Sequence, residues 1–293
     1  MTQILEQGSN VADASLPSRE LGRTGQMVSL FGLGGEGVLR THGRMAEAVA
    51  VIERALDQGV TYFDTAPAYA SSMDYYGAAL GERRRGIFLA CKTHERTRDG
   101  SLRLLDDCLR RLRTDHLDLW QLHDLRTNHD LTRIFARDGA LEALLRAQAD
   151  GRVRFLGITG HHDPAILVEA IRRYQFDTVL VALNAADVHR LSFIRAVLPE
   201  AASRGMGIIG MKVCVQGALL QSGRLNMEEA MSYTLSLPGV TNVVVGCCTP
   251  DEVDDNARIV RQFMALAESR MRALEARTRP YADVCTAYKM PSF

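Results

Sequence analysis

The chain has 293 residues, 46% hydrophobic and 24% charged, the balance of an ordinary globular protein rather than a disordered or fibrous one. A chain this long buries about 75% of the surface its unfolded form exposes, so it needs no disulfide or metal staples. Its 35 basic residues balance 35 acidic ones, which removes the main electrostatic reason to expect a nucleic acid or an anionic membrane as partner.

Residues 1–18 read as a flexible polar leader with no apolar segment of the signal-peptide kind. Residues 19–293 read as one domain, because no Gly/Ser/Pro-rich linker divides them. Leu21-Gly22-Arg23-Thr24-Gly25 predicts a small hairpin over 19–28. Eight short apolar runs follow, at 28–33, 61–64, 87–91, 117–122, 153–158, 178–183, 207–211 and 243–245. They lack strict alternation, which suits strands buried on both faces of a parallel sheet. Helical patterns lie between them. Ala48, Ile52, Ala55 and Leu56 share one face before a stop at Gly59, and Leu102, Leu105, Leu109 and Leu112 share another. Asp163-Pro164 and Thr249-Pro250-Asp251-Glu252 are helix starts with a side-chain cap and an early proline. Eight such units predict an α/β fold, a (β/α)8 TIM barrel with an N-terminal β-hairpin and a C-terminal helix plus tail. Gly32, Gly34, Gly35 and Gly37 do not make the dinucleotide fingerprint of an open doubly wound sheet. In the tail, Tyr281, Tyr288 and Phe293 either fold over the mouth or lie free.

Barrel enzymes keep their chemistry at the C-terminal ends of the strands. At those positions lie Asp64, with Tyr69 in the loop beyond it, then Lys92, then His123. Only three residues of the chain are lysine, namely Lys92, Lys212 and Lys289, and two of them fall at strand ends. An ammonium is a compact charge with a movable pKa. Placed beside a phenol it is expected to lower the phenol's pKa, while a carboxylate holds the ammonium charged. Tyr69 is then the proton donor to an oxygen gaining negative charge, and His123 orients that oxygen. A proton donor without a nucleophile or metal suits carbonyl reduction with hydride from a cofactor.

The segments Phe63-Asp64-Thr65-Ala66-Pro67-Ala68-Tyr69, Ala90-Cys91-Lys92 and Leu117-Asp118-Leu119-Trp120-Gln121-Leu122-His123 resemble motifs of the aldo-keto reductases, with later landmarks over 151–159 and 246–256. The resemblance covers roughly residues 19–262 and is to a bacterial member of that family with divergent cofactor-binding residues. It implies a (β/α)8 barrel that binds NADPH or NADH across its mouth and reduces an aldehyde or ketone to an alcohol, with Asp64, Tyr69, Lys92 and His123 as catalytic residues. It also implies cofactor contacts from Gly35, Asp64, Thr159, Asn184, Met211, Lys212, Gly246, Thr249 and Asn256. The departures are specific. Thr159-Gly160 stands where the family usually has Ser-Asn, Leu180 stands for a glutamine, and Met211-Lys212 replaces an aromatic residue. Glu252 occupies a position where NADPH-selective members often carry arginine, and with Asp251 it repels a 2′-phosphate, so NADP and NAD both stay open.

Two other functions compete: a sensor that binds the dinucleotide on a reductase scaffold, and a Schiff-base aldolase-type lyase using Lys92 or Lys212. His161-His162, with His189 as a third ligand, raises a metal site, but adjacent histidines in a loop are expected to point apart and no metal is expected. Asp118 reads as a structural acceptor, Trp120 as core and Cys247-Cys248 as a buried strand end. Six cysteines without C-x-x-C spacing predict reduced thiols, and with no apolar run near the roughly 20 residues a membrane span needs, a cytoplasmic protein. The expected partner is a small carbonyl compound. Neither its identity nor the oligomeric state is written in the residues.

Overall fold

The computed structural model describes residues 15–221 and 223–290. Of the leader expected at 1–18, residues 1–14 lie outside the described residues, whereas Leu16 is already buried in the core. Strands β1 (Ser18–Glu20) and β2 (Met27–Ser29) form an antiparallel hairpin with Arg19 opposite Val28. Its turn lies against the N-terminal end of the barrel. A Cβ on Gly22, which sits at φ +51°, would come within 2.2 Å of the Gly207 backbone nitrogen, so only glycine fits there. Leu21 and Val28 plug the barrel floor, each worth about 2 kcal/mol of apolar burial.

Eight parallel strands close the barrel in sequence order. They are β3 (Phe31–Gly37), β4 (Tyr62–Asp64), β5 (Phe88–Thr93), β6 (Leu117–Leu122), β7 (Val153–Gly160), β8 (Thr178–Ala182), β9 (Gly207–Met211) and β10 (Val240–Cys247), which pairs back to β3. The helices are α1 (Met45–Asp57), α2 (Ser72–Ala79), α3 (Arg98–Leu112), α4 (Asn128–Ile134), α5 (Ala140–Ala149), α6 (Pro164–Arg173), α7 (Phe193–Ser203), α8 (Met227–Leu235), α9 (Pro250–Arg261), α10 (Glu268–Thr278) and α11 (Ala282–Cys285). All eight apolar runs are strands. The first divides at Leu30 between hairpin and barrel, and the last extends two residues beyond Val245. The expected caps form: Asp163 Oδ1 accepts from the Ala165 N–H at 2.8 Å, and Thr249 Oγ1 from the Glu252 N–H at 3.3 Å. No helix among the described residues is long and apolar enough to cross a membrane.

Period-two alternation sorts each strand between two cores. Phe63, Leu89, Cys91, Trp120, Ile158, Val179 and Val243 pack outward against the helices. Tyr62, Phe88, Ala90, Leu119, Leu180, Ile209 and Val244 pack inside the barrel. Both sets are buried, which is why the strands read as continuous apolar runs. Continuing the inner set by one more alternate residue gives Asp64, Lys92, Gln121 and Met211, raised above the apolar plug at the C-terminal end. Asp118 is a structural acceptor, bonded by the Leu89 N–H at 2.9 Å and by Arg84 and Arg154 at 2.8 and 2.6 Å.

The tail is docked. Lys289 is fully buried and ion-paired with the equally buried Asp187, and its ammonium also donates to the carbonyls of Asp187, Arg190 and Leu191 at 2.9–3.1 Å. Tyr281 lies under the Arg224 guanidinium, 4.3 Å from ring centroid to Cζ. Phe293 lies outside the described residues.

Candidate active site

A cavity of about 1000 Å³ opens at the C-terminal end of the barrel. Asp64, Tyr69, Lys92 and His123 share its wall. Lys92 is 1% exposed and donates to Asp64 Oδ1 and, at 2.9 Å, to the Thr65 carbonyl. The Lys92 Nζ sits 4.8 Å from the Tyr69 ring centroid, and the Tyr69 and His123 rings meet edge-on at 5.7 Å. Burial works against the Lys92 ammonium, but the charge and hydrogen bond of Asp64 outweigh it and hold the lysine protonated. Burial pushes the Asp64 carboxyl up, and Lys92 pulls it back.

Tyr69 departs from expectation. Lys92 does lower its pKa, but burial raises it further, so the phenol ends above its ordinary value rather than below. At neutral pH it therefore carries its proton. His123 is pushed down to about 2, first by burial and then by the Lys92 charge, so its imidazole is neutral. Arg96 fixes the backbone there, donating to the carbonyls of His123 and Asp124 at 2.9 and 3.1 Å and bridging to Asp130.

Two contributors escaped the sequence reading. Gln121 donates from Nε2 to Asp64 Oδ2 at 3.3 Å, completing the carboxylate's contacts; its place two residues after Leu119 on an inward-facing register was the available signal. Arg40, in the loop after β3, lies over the Tyr69 ring at 5.2 Å and pairs with Glu36. No local pattern marks it.

Of the expected cofactor contacts, Gly35, Asp64, Thr159, Met211, Lys212, Gly246 and Asn256 line the cavity, while Asn184 and Thr249 do not. Both Asn184 amide hydrogens are engaged, with the Lys212 carbonyl at 3.2 Å and the Tyr288 hydroxyl at 3.3 Å, and its Oδ1 accepts from the Ala186 N–H. Thr249 is occupied by its helix cap. Thr159 Oγ1 accepts from the Asp124 N–H at 2.8 Å and keeps its own proton to donate. The expectation for His161 and His162 is also corrected. Their rings lie 4.4 Å apart at 33°, both beside Asp124, because that carboxylate draws them to one side. His189 is elsewhere, against the Glu275 carbonyl and Thr278.

The cavity runs from the Asp64–Lys92 pair past 212–217 to Asp255 and Asn256. Lys212, Val215, Gln216 and Gly217 all hold positive φ, a strained segment along the cavity wall. Lys212 makes no ion pair among the described residues, and burial pushes its ammonium pKa down. A long cleft with an unpaired cation midway along it fits an extended dinucleotide.

Comparison with known proteins agrees. A family model described as "Aldo/keto reductase family" matches residues 31–229. The chain belongs to the aldo/keto reductase family. It is 25% identical over 295 residues to an L-galactose dehydrogenase of Arabidopsis thaliana, covering 85% of this chain and 89% of that protein. An aldo-keto reductase of Bacillus halodurans, in its holo form, superposes with a TM-score of 0.77 at 22% identity, covering 89% of this chain and 96% of that one. A Klebsiella pneumoniae aldo-keto reductase in complex with NADPH gives 0.73 at 20% identity, covering 91% and 96%. Both structures share the barrel described above. As an aldo/keto reductase the chain is an NAD(P)H-dependent oxidoreductase, and the reaction of the family is carbonyl reduction.

Proposed function

We propose that residues 19–293 act as one catalytic domain in which Tyr69 protonates the carbonyl oxygen of a small polar aldehyde or ketone. The observation that carries this reading is the convergence of Tyr69, Lys92, Asp64 and His123 on one cavity wall, with the phenol protonated and the imidazole neutral. The reduced nicotinamide, when bound, supplies the hydride that adds to the carbonyl carbon. As charge grows on the oxygen, Tyr69 gives up its proton, and the Lys92 ammonium stabilises the phenolate left behind. Asp64 and Gln121 position the lysine. Neutral His123 donates a hydrogen bond to the same oxygen and so needs no ionisation of its own.

Thr159, Lys212, Gly246 and Asn256 would hold the cofactor, with Lys212 facing its phosphates. The far end of the cavity carries Glu252 and Asp255. Carboxylates there disfavour a 2′-phosphate, which supports NADH over NADPH. The rim beyond Tyr69 carries His94, Arg96 and Arg126, donors suited to a hydroxylated substrate; a relative named for L-galactose supports that class. The six free cysteines suit a reducing cytoplasmic setting.

Against a Schiff-base lyase stands the protonated, ion-paired Lys92, which has no lone pair to attack with. The test is a parallel fluorescence titration with NADH and NADPH followed by single-turnover oxidation of the bound cofactor by a reactive aldehyde. Binding without turnover would favour the sensor. A borohydride-trapped adduct on Lys92 or Lys212 would replace reduction by the lyase.

A further inference from the structure

We propose that Asp124, His161 and His162 form a binding site for a divalent transition-metal ion of the zinc class on the rim of the cavity. Strands β6 and β7 are neighbours, so the loops that follow them emerge side by side. One carries Asp124 and the other the two histidines. Asp124 Oδ1 lies 3.3 Å from His161 Nδ1 and 3.5 Å from His162 Nε2, and all three donor atoms fall within 4.8 Å of one another. Zinc bonds of about 2.0–2.1 Å in a tetrahedron set donor atoms about 3.3–3.4 Å apart. Two of the three edges are within about 0.2 Å of that length, and the third is no longer than 4.8 Å.

The donor atoms are also poorly served without an ion. Asp124 Oδ1 and His162 Nε2 are buried and meet each other only at 3.5 Å, with no well-formed hydrogen bond to either among the described residues. A buried polar atom left in that state is unfavourable unless something else fills its lone pair. Two of the three ligands are held from behind. Arg126 Nε donates to the other Asp124 oxygen at 2.7 Å, Thr159 Oγ1 fixes the Asp124 backbone, and the Met290 N–H donates to the His162 carbonyl at 3.1 Å. Supporting bonds of this kind orient metal ligands.

Two imidazoles and a carboxylate select zinc, cobalt or nickel over magnesium or calcium. The nearby Arg126 and Lys212 charges oppose a dication, so binding is weaker than at a thiolate site. Asp124 and His161 line the cavity, so the site borders it. The inference stands independently of the proposed reaction.

The test is a titration of chelator-treated, tag-free protein with Co2+, read by visible absorption. One equivalent is expected to give a saturating band of tetrahedral or five-coordinate intensity, displaced by Zn2+. His162→Gln, His161→Gln and Asp124→Asn are each expected to weaken binding at least tenfold while circular dichroism stays unchanged. His116→Gln, at a histidine–carboxylate pair outside the cavity, leaves binding as it was. No saturating band, or a band that survives all three ligand substitutions, overturns the site.

Discussion

Replacing Lys92 by methionine removes one half of a buried ion pair and leaves Asp64, 4% exposed, without its counter-charge. The carboxyl then has two options. It can stay ionised in an apolar setting at a cost of roughly 3–5 kcal/mol. Or it can hold a proton that the unfolded chain would release, at about 1.4 kcal/mol for each pH unit above an unfolded pKa of about 3.9. At about pH 5 the second route is cheaper and the variant should lose about 1.5 kcal/mol; at about pH 8 it would exceed 5 kcal/mol, so the ionised limit of roughly 3–5 kcal/mol applies. The sign is that of an acid whose folded pKa is raised: stability present below the unfolded pKa is lost as pH rises. Urea melts at both pH values will read this through Trp120, the sole tryptophan, buried on β6. Asp64→Asn combined with Lys92→Met should recover much of the loss at the higher pH, because no charge remains to be buried. Equal destabilisation at the two pH values, or a double variant as unstable as the sum of the singles, would refute the view that the pair is charged in the native state.

Tyr69→Phe should lower turnover by about 10²–10⁴ while NAD(P)H titrations stay unchanged, since only the proton donor is lost; near-normal aldehyde reduction would end its assignment. In the wild type, kcat/KM for reduction should be flat between about pH 5 and 8, because His123 is neutral throughout, and should fall only in alkali, where the raised Tyr69 pKa is reached. An inflection near the ordinary histidine pKa would contradict the neutral imidazole. Glu252→Arg should raise the NADPH-to-NADH preference at least tenfold, at a cost of about 1 kcal/mol from the Glu252 bond to the Cys248 N–H; an unmoved ratio would place the adenosine end elsewhere. Lys289→Met should expose the tail to limited proteolysis near α11, and a tail as resistant as the wild type's would show that the Asp187 pair does not hold it.

The barrel was legible because its strands are buried on both faces and its helices carry local start signals. Runs such as 87–91 and 153–158, and caps such as Asp163-Pro164, are short-range features that propensity and pattern report directly. The four groups at the strand ends followed from that count. What escaped depends on contacts between distant parts of the chain. Whether Asn184 is free is decided by Tyr288, 104 residues later. Whether Lys92 lowers the Tyr69 pKa below its ordinary value depends on how much water the finished cavity admits, and burial wins. That His161 and His162 turn to one side is set by a carboxylate on the neighbouring loop, which no rule about adjacent residues includes.

The three lysines bring these limits to one point. In a chain that otherwise uses arginine, each sits where a compact ammonium does what a guanidinium fork does poorly. Lys92 fits between a carboxylate and a phenol inside a barrel, and Lys289 gathers a carboxylate and three carbonyls under the tail. Both are buried and paired, so both are fixed charges. Lys212 alone is left without an acid, on a strained segment of the cavity wall. Burial of a cation whose pKa it depresses is unfavourable until an anion arrives. The residue type was therefore readable as a set of three special positions. Which of them lacks an acidic partner follows only from which two already have one, and Lys212 meets, among the described residues, only the Tyr288 ring, 5.3 Å from its ammonium.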